Sequence, residues 1–290
     1  MSKTLVISSS SPAGFEYMCH GLDRLFFEAP EFDRGEWQAK TQLPPDMITK
    51  EIPHALLEIP MAASLADAQF SIKPNLPWAE DHFLERVGGD PLNPPPSNQW
   101  WPHAVQGNSS HKAHGKFSHT YPERMWPRFA GEYYDDMPGS QSLDWEPNRG
   151  IRYEYGDLND LVNMLKRNPR TRQAYLPIWF PEDTGAVRGQ RVPCTIGYHF
   201  LLGPHSMDVT YTIRSCDYMR HFRDDVYMAI RLCQWVLREA GIVKPPGMLY
   251  MHIGSFHVFR GDEAELKRRV DSRPANPLFE LDRSWSWPPR

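Results

Sequence analysis

The chain has little of what most often announces a function. Its 290 residues include four cysteines, Cys19, Cys194, Cys216 and Cys233, and no CxxC pair. That spacing gives neither a zinc knuckle nor a dithiol redox motif. It predicts free thiols in a reducing compartment, the cytoplasm. No apolar run approaches the roughly 18 residues a spanning helix needs. The opening "MSKTLVISSSSPAG" lacks the cationic and apolar segments of a signal peptide. Cationic excess is missing too: a net charge of -4 and a pI near 6.3 speak against a general nucleic-acid binder. The twelve histidines show no HxH or HExxH spacing, so no metal is expected. No GxGxxG or phosphate-loop pattern appears, which weakens dinucleotide and ATP-driven readings.

What the chain does have is aromatic mass and proline. Ten tryptophans occur, many beside prolines as in "NQWWPH", "ERMWPRF" and "RSWSWPPR". Such segments read as ordered loops, with proline fixing the backbone and tryptophan supplying buried area. The first half reads as irregular, its apolar runs "LVIS" and "IPHALLEIPMAASLADA" separated by "QLPPD", "DPLNPPPSN" and "GNSSHKAHGK". A loop-rich insert over about 88–118 is expected, including a long surface loop from Pro91 to Lys116. No composition break divides the chain, so one domain over 1–290 is the expectation.

The second half is patterned. In "DLNDLVNMLKRN" Leu158, Leu161, Val162 and Leu165 recur at helical spacing. "AYLPIWF" reads as a strand, and "VPCTIGYHFLLGPHSMDVTYTIRS" as two strands joined at "GPHS". Val209, Tyr211 and Ile213 share one face of the second, and Thr210, Thr212 and Arg214 the other. From about Asp224 to Ala240 the stripe Val226, Ala229, Ile230, Cys233, Val236 and Leu237 predicts a helix ending at Gly241. "MLYMHIGSFHVF" is a further strand. The expected class is α+β, a mixed sheet packed on one long buried helix.

Within this frame a few residues could carry chemistry. Cys194 follows a proline at the mouth of a strand. There it is either a buried thiol or a nucleophile facing a cleft, with nearby arginines lowering its pKa. Arg214, Ser215 and Asp217 close the next strand, and arginine with a serine hydroxyl can hold a phosphate. Arg172 in "NPRTRQAY" could add to such a pocket. His257 lies inside an apolar strand, where a satisfied core histidine is the commoner case.

Taken in order, "VPC" at 192–194, "RSCD" at 214–217, a polar residue eleven after the arginine and "HIGSFHVF" at 252–259 resemble the thymidylate synthase superfamily. "LKRNPRTRQAYLPIWFPED" resembles its helix and the following strand. "SHTYPERMW" and "LPWAEDHF" look like its Y-G motif and its tryptophan-bearing folate segment. The likeness is strongest over about 155–262. It implies a sheet-mediated homodimer with Cys194 as the nucleophile adding to pyrimidine C6. Arg214 and Ser215 would hold the 5′-phosphate, with Arg172 reaching in from the partner chain and Arg34 as a further phosphate contact. Asp217 would orient the base, His257 would touch the sugar, and Glu58 would manage protons and water near C5. Trp78 would pack on the folate, so 5,10-methylenetetrahydrofolate is the implied co-substrate. No membrane or nucleic-acid partner is implied.

Where this chain departs from the synthases is at the residue that reads the base. An asparagine there donates to O4 of uracil and accepts from N3–H. Here the position is Asp225, and an ionised carboxylate only accepts, which suits the exocyclic amine of cytosine. A mismatch costs ~1–3 kcal/mol. The chain therefore resembles the deoxycytidylate 5-hydroxymethyltransferase branch, known from phages, and Ser215 fits a deoxyribonucleotide. Phe259 replaces the family's tyrosine, and Gln173 replaces the second of two adjacent arginines. The short tail "PLFELDRSWSWPPR" would close the site less and admit water. The alternatives are a dCMP methylase, a dUMP hydroxymethylase, and a nucleotide-binding relic without turnover.

Overall fold

The computed structural model describes residues 5–9, 11–35, 44–102, 112–113, 115–128, 156–184 and 191–273. The tail from 277 and most of the middle of the 88–118 insert lie outside the described residues. The elements in order are β1 (Leu5–Ser8), α1 (Phe15–Glu28), β2 (Glu31–Phe32), β3 (Thr49–Pro60), α2 (Leu65–Ile72) and α3 (Trp78–Val87). A small hairpin of β4 (Lys112–Ala113) and β5 (Lys116–Phe117) precedes α4 (Tyr121–Met125) and α5 (Leu158–Arg167). Then come β6 (Tyr175–Pro177), β7 (Thr195–Leu202), β8 (Met207–Asp217), α6 (Phe222–Ala240), β9 (Pro246–Phe259) and α7 (Glu263–Asp271).

One sheet runs β1-β3-β9-β8-β7-β6, with β2 added to β3. The pairs β1–β3 and β8–β9 are parallel, and the other pairs are antiparallel. Across it, Leu57, Met251, Tyr211, Tyr198 and Leu176 stand side by side and are almost wholly buried. Each such side chain contributes ~1.5–3 kcal/mol relative to exposure. This face carries α6, which packs on β8 and β9 between α2, α3 and α5. The predicted stripe on α6 is all in the core, and Gly241 ends the helix with a left-handed φ of 66°. The next row, Glu58, Tyr250, Thr210, His199 and Tyr175, belongs to the opposite face, where none of these residues is fully buried.

Two expectations need correction. "AYLPIWF" contributes a strand of only three residues. The first half is not irregular, since it supplies α1, α2, α3 and the twelve-residue β3. Pro53 lies between the stretches of β3 that pair with β2 and β1, where that edge of the strand has no ladder to complete.

The sheet also bends where the site will be. Pairing skips His54 on β3, Gly254 on β9 and Arg214 on β8, and Ile196 on β7 is an extra residue. A Cβ at Gly254 would lie 2.8 Å from the Arg214 carbonyl oxygen, so the close approach of β8 and β9 needs glycine. Beyond the bend Cys216 turns onto the α6 side. There it lies 3.7 Å from the Asp225 carboxylate.

Candidate active site

The first turn of α6 divides its two acids. Asp224 is buried and binds Asn75 twice, accepting from the backbone N–H at 2.8 Å and the side-chain amide at 2.7 Å. It anchors the chain leading into α3. Asp225 instead turns toward β8, 3.7 Å from the Cys216 sulfur. Burial pushes its carboxyl up to about 7, Asp224 and Asp217 add to the shift, and Arg86 opposes it.

Cys194 sits just before β7 and is half-buried. Its loop is stapled to β8 by Arg214, whose Nε donates to the Pro193 carbonyl at 2.9 Å and Nη2 to that of Val192 at 3.1 Å. The same Nη2 lies 3.9 Å from the Cys194 sulfur. Nearby arginines do act to lower the thiol pKa, but they do not prevail. Burial pushes it up, and Arg214 and Arg191 only partly offset burial and the charges of Asp225 and Asp217. Cys194 therefore rests as a thiol that two arginines stand ready to stabilise once ionised. Next to it the buried Thr195 hydroxyl contacts the phenols of Tyr211 at 2.9 Å and Tyr121 at 3.1 Å.

Arg86, near the end of α3, completes the cleft. Its guanidinium lies 4.0 Å over the Tyr121 ring, and the residue is 4% exposed. Its buried Nε has no hydrogen-bond partner. A desolvated cation–π contact contributes ~2 kcal/mol, whereas burying an ion costs several. The stack alone does not balance the burial, and the Arg86 charge favours ionisation of Asp225.

An aromatic slot borders the same turn of α6. Trp78 stacks on His82 with centroids 5.1 Å apart and lies 6.0 Å from Trp101, which stacks on His221 at 5.1 Å. His221 takes the backbone N–H of Asp225. Burial and Arg86 hold His82 down at about 4, so it is neutral at pH 7.

The fold thus brings Cys194, Arg214 and Asp225 together, with Ser215 half-buried beside Arg214 and Trp78 in the adjoining slot. Asp217 caps the following turn, accepting from Met219 and Arg220 N–H groups at 2.9 and 3.1 Å and pairing with the Arg220 guanidinium. His257 is its neighbour across β8–β9 and is kept neutral by burial. Phe259 meets His257 edge-on at 5.2 Å.

Three expected residues are not brought to Cys194 within one chain. Glu58 is on the sheet face opposite α6, near the β1 edge, and accepts from the Ser8 hydroxyl. Arg34 is engaged in a two-pronged pair with Glu51. Arg172 is exposed beyond the far end of the β6–β7 pairing, where its carbonyl meets His199. That end of β7 is about 17 Å along the strand from Cys194. Sequence reasoning missed Arg86, Arg191, Trp101 and Cys216. In sequence, Arg86 reads only as a favourable cation near a helix C-terminus.

Among the described residues no helix is long and apolar enough to cross a membrane, and no three His, Cys, Asp or Glu side chains are grouped to hold a metal. The profile of the thymidylate synthase family matches residues 107–286. Thymidylate synthases of Listeria monocytogenes serotype 4a and Listeria innocua serovar 6a are each 23% identical over 148 residues, covering 50% of this chain and 45% of the relative. The chain thus spans about half the length of the curated relatives it matches. With a family match over more than half of its residues and a mixed sheet packed on α6, this chain belongs to the thymidylate synthase family and has its α+β fold.

Proposed function

We propose that this chain catalyses folate-dependent 5-hydroxymethylation of dCMP. The observation that supports the reading is the Asp225 carboxyl acting electrostatically on the Cys194 thiol, whose sulfur lies 3.9 Å from the Arg214 guanidinium. Cys194 gives up its proton and adds to C6, with Arg214 and Arg191 stabilising the thiolate as it forms. Asp225 accepts a hydrogen bond from the N4 amine and holds the ring. Arg214 and Ser215 bind the 5′-phosphate, and Asp217 and His257 close the sugar side.

The slot of Trp78, Trp101 and His221 suits a flat heteroaromatic ring, since Trp101 and His221 stay half-buried at its mouth and Trp78 keeps an enclosed indole N–H without a partner. These residues would hold 5,10-methylenetetrahydrofolate. When bound it supplies the one-carbon unit, which water completes as a hydroxymethyl group on C5. The ring is restored when the C5 proton is lost and the C6–S bond breaks. Two copies joined through the open sheet face would let Arg172 of each reach the phosphate of the other.

The test is incubation with dCMP and methylenetetrahydrofolate, followed by the mass of the nucleotide. A gain of one CH2O is expected, and it should vanish in Cys194→Ala. A gain of one CH2 would make the protein a methylase. No mass change under conditions where dCMP binds would leave a binding protein.

A further inference from the structure

Beside the aromatic slot lies a buried polar cluster that the proposed reaction leaves unused. Trp78, His82 and Glu85 share one face of α3, at spacings of four and three residues. After α3 the chain runs through Pro94 and Pro95 into a short 3-10 turn, Pro96–Trp100. Its N-cap is Pro95, whose side chain cannot accept from the first N–H groups of the turn. Glu85 does so from α3. Its Oε1 accepts the Ser97 backbone N–H at 2.6 Å, and its Oε2 accepts the Ser97 hydroxyl. Ser97 is wholly buried. His82 Nδ1 lies 3.0 Å from the same hydroxyl oxygen and 3.3 Å from Oε2. Because the hydroxyl proton goes to Glu85, Nδ1 carries its own proton, and the neutral imidazole closes the cluster as a donor.

This cluster fixes two walls of the slot at once. His82 stacks on Trp78 within α3. Trp101 follows directly on the pinned turn, stacks on His221 at 5.1 Å, and stands 6.0 Å from Trp78 at an interplanar angle of 40°. The Trp100 indole adds a second, exposed tie to Asp81 at 3.2 Å. The helix itself is docked without Glu85. Glu80 takes the Arg231 guanidinium at 2.8 and 3.0 Å and the Tyr227 hydroxyl at 2.6 Å, both from α6. Loss of the Glu85 carboxylate therefore releases the turn that carries Trp101 and leaves α3 in place.

We propose that Glu85 is a positioning residue for the co-substrate: by pinning Ser97 to α3 it sets where the Trp101 ring stands relative to Trp78, and so sets the affinity for a reduced pteridine. This rests on the reading of the slot as the folate site. A flat ring gains from an aromatic wall only at stacking distance, so a displaced Trp101 loses that contact. The nucleotide half is fixed by other bonds, from Arg214 to the carbonyls of Val192 and Pro193, and does not depend on the clamp.

The experiment is calorimetric titration of tetrahydrofolate into the dCMP-saturated protein, and of dCMP into the free protein. Glu85→Ala should weaken tetrahydrofolate about tenfold and change dCMP by less than about twofold. Glu85→Gln keeps an acceptor for the Ser97 N–H and should recover most of the loss. Unchanged tetrahydrofolate affinity in Glu85→Ala, an equal weakening of dCMP, or no recovery in Glu85→Gln would overturn the role. Should Glu85→Ala not fold, Ser97→Ala keeps the backbone bond and carries the same comparison. About a threefold loss of tetrahydrofolate affinity is expected there, and no loss overturns the role. Trp101→Ala separates this inference from the reading beneath it. If Trp101→Ala binds tetrahydrofolate as the wild type does, or the wild type does not bind it, the folate reading fails and this inference with it. If Trp101→Ala weakens binding and Glu85→Ala does not, the slot stands and only the positioning role falls.

Discussion

At the scale of single residues, the account turns on a carboxyl group whose stability cost and use have the same origin. Folding raises the Asp225 pKa from 3.8 to about 7. Between those values the unfolded chain has lost a proton that the folded chain keeps. Stability therefore falls as pH rises across that window and levels off above it. Asp225→Asn removes the ionisation and keeps the shape, so it should melt several degrees above wild type at pH 8, with the gain shrinking toward pH 4. Thermal melts at both values check this, and an unchanged or lower midpoint at pH 8 would contradict it. A site residue that weakens the fold is what a pocket built for a ligand rather than for packing produces. In sequence Asp224 and Asp225 look alike as acids of a first helical turn. The register of α6 decides which one anchors Asn75 and which one meets the Cys216 sulfur.

At the scale of elements, α6 is tied to the helix that brings Arg86, and Asp224 is the tie. Asp224→Ala would leave the backbone and side-chain amides of Asn75 without their acceptor and should cost about 2 kcal/mol. Urea unfolding measures this, and a loss below a few tenths would show that the clamp does not hold α3 in place. How much of the fold could be read in advance also divides by element. β7, β8, β9 and α6 were legible because their faces alternate or stripe cleanly: Val209, Tyr211 and Ile213 on one side of β8, Val226 through Leu237 along α6. β3 was not, because Pro53 and Pro60 read as strand breakers, and only the neighbours' registers reveal an edge that tolerates proline. The inward turn of Cys216 depends on a bend shared by four strands, and no local pattern encodes that.

At the scale of the whole molecule, the sheet has one face sealed by α6 and another of half-buried tyrosine, histidine and threonine. If two copies join there and exchange Arg172, Arg172→Ala should weaken dCMP binding by about tenfold. Mixed one to one with Cys194→Ala chains, it should recover up to about a quarter of wild-type activity, because half the dimers would then carry one intact site. Recovery no greater than the sum of the separate variants would place each site within a single chain. Of the proposed site, Cys194, Arg214 and Asp225 were named from their order in the chain, since that order carries the family likeness. Glu58 could not be located correctly, because it was chosen from a short apolar run that forms a strand facing the other way. Arg86 could not be recognised at all, because burial of a cation is a property of packing. The most direct measurement is competition: equal dCMP and dUMP offered to limiting enzyme with methylenetetrahydrofolate at pH 8, with both products weighed. The account predicts that dCMP is consumed at least about tenfold faster, as a product heavier by CH2O. Faster consumption of dUMP would contradict it.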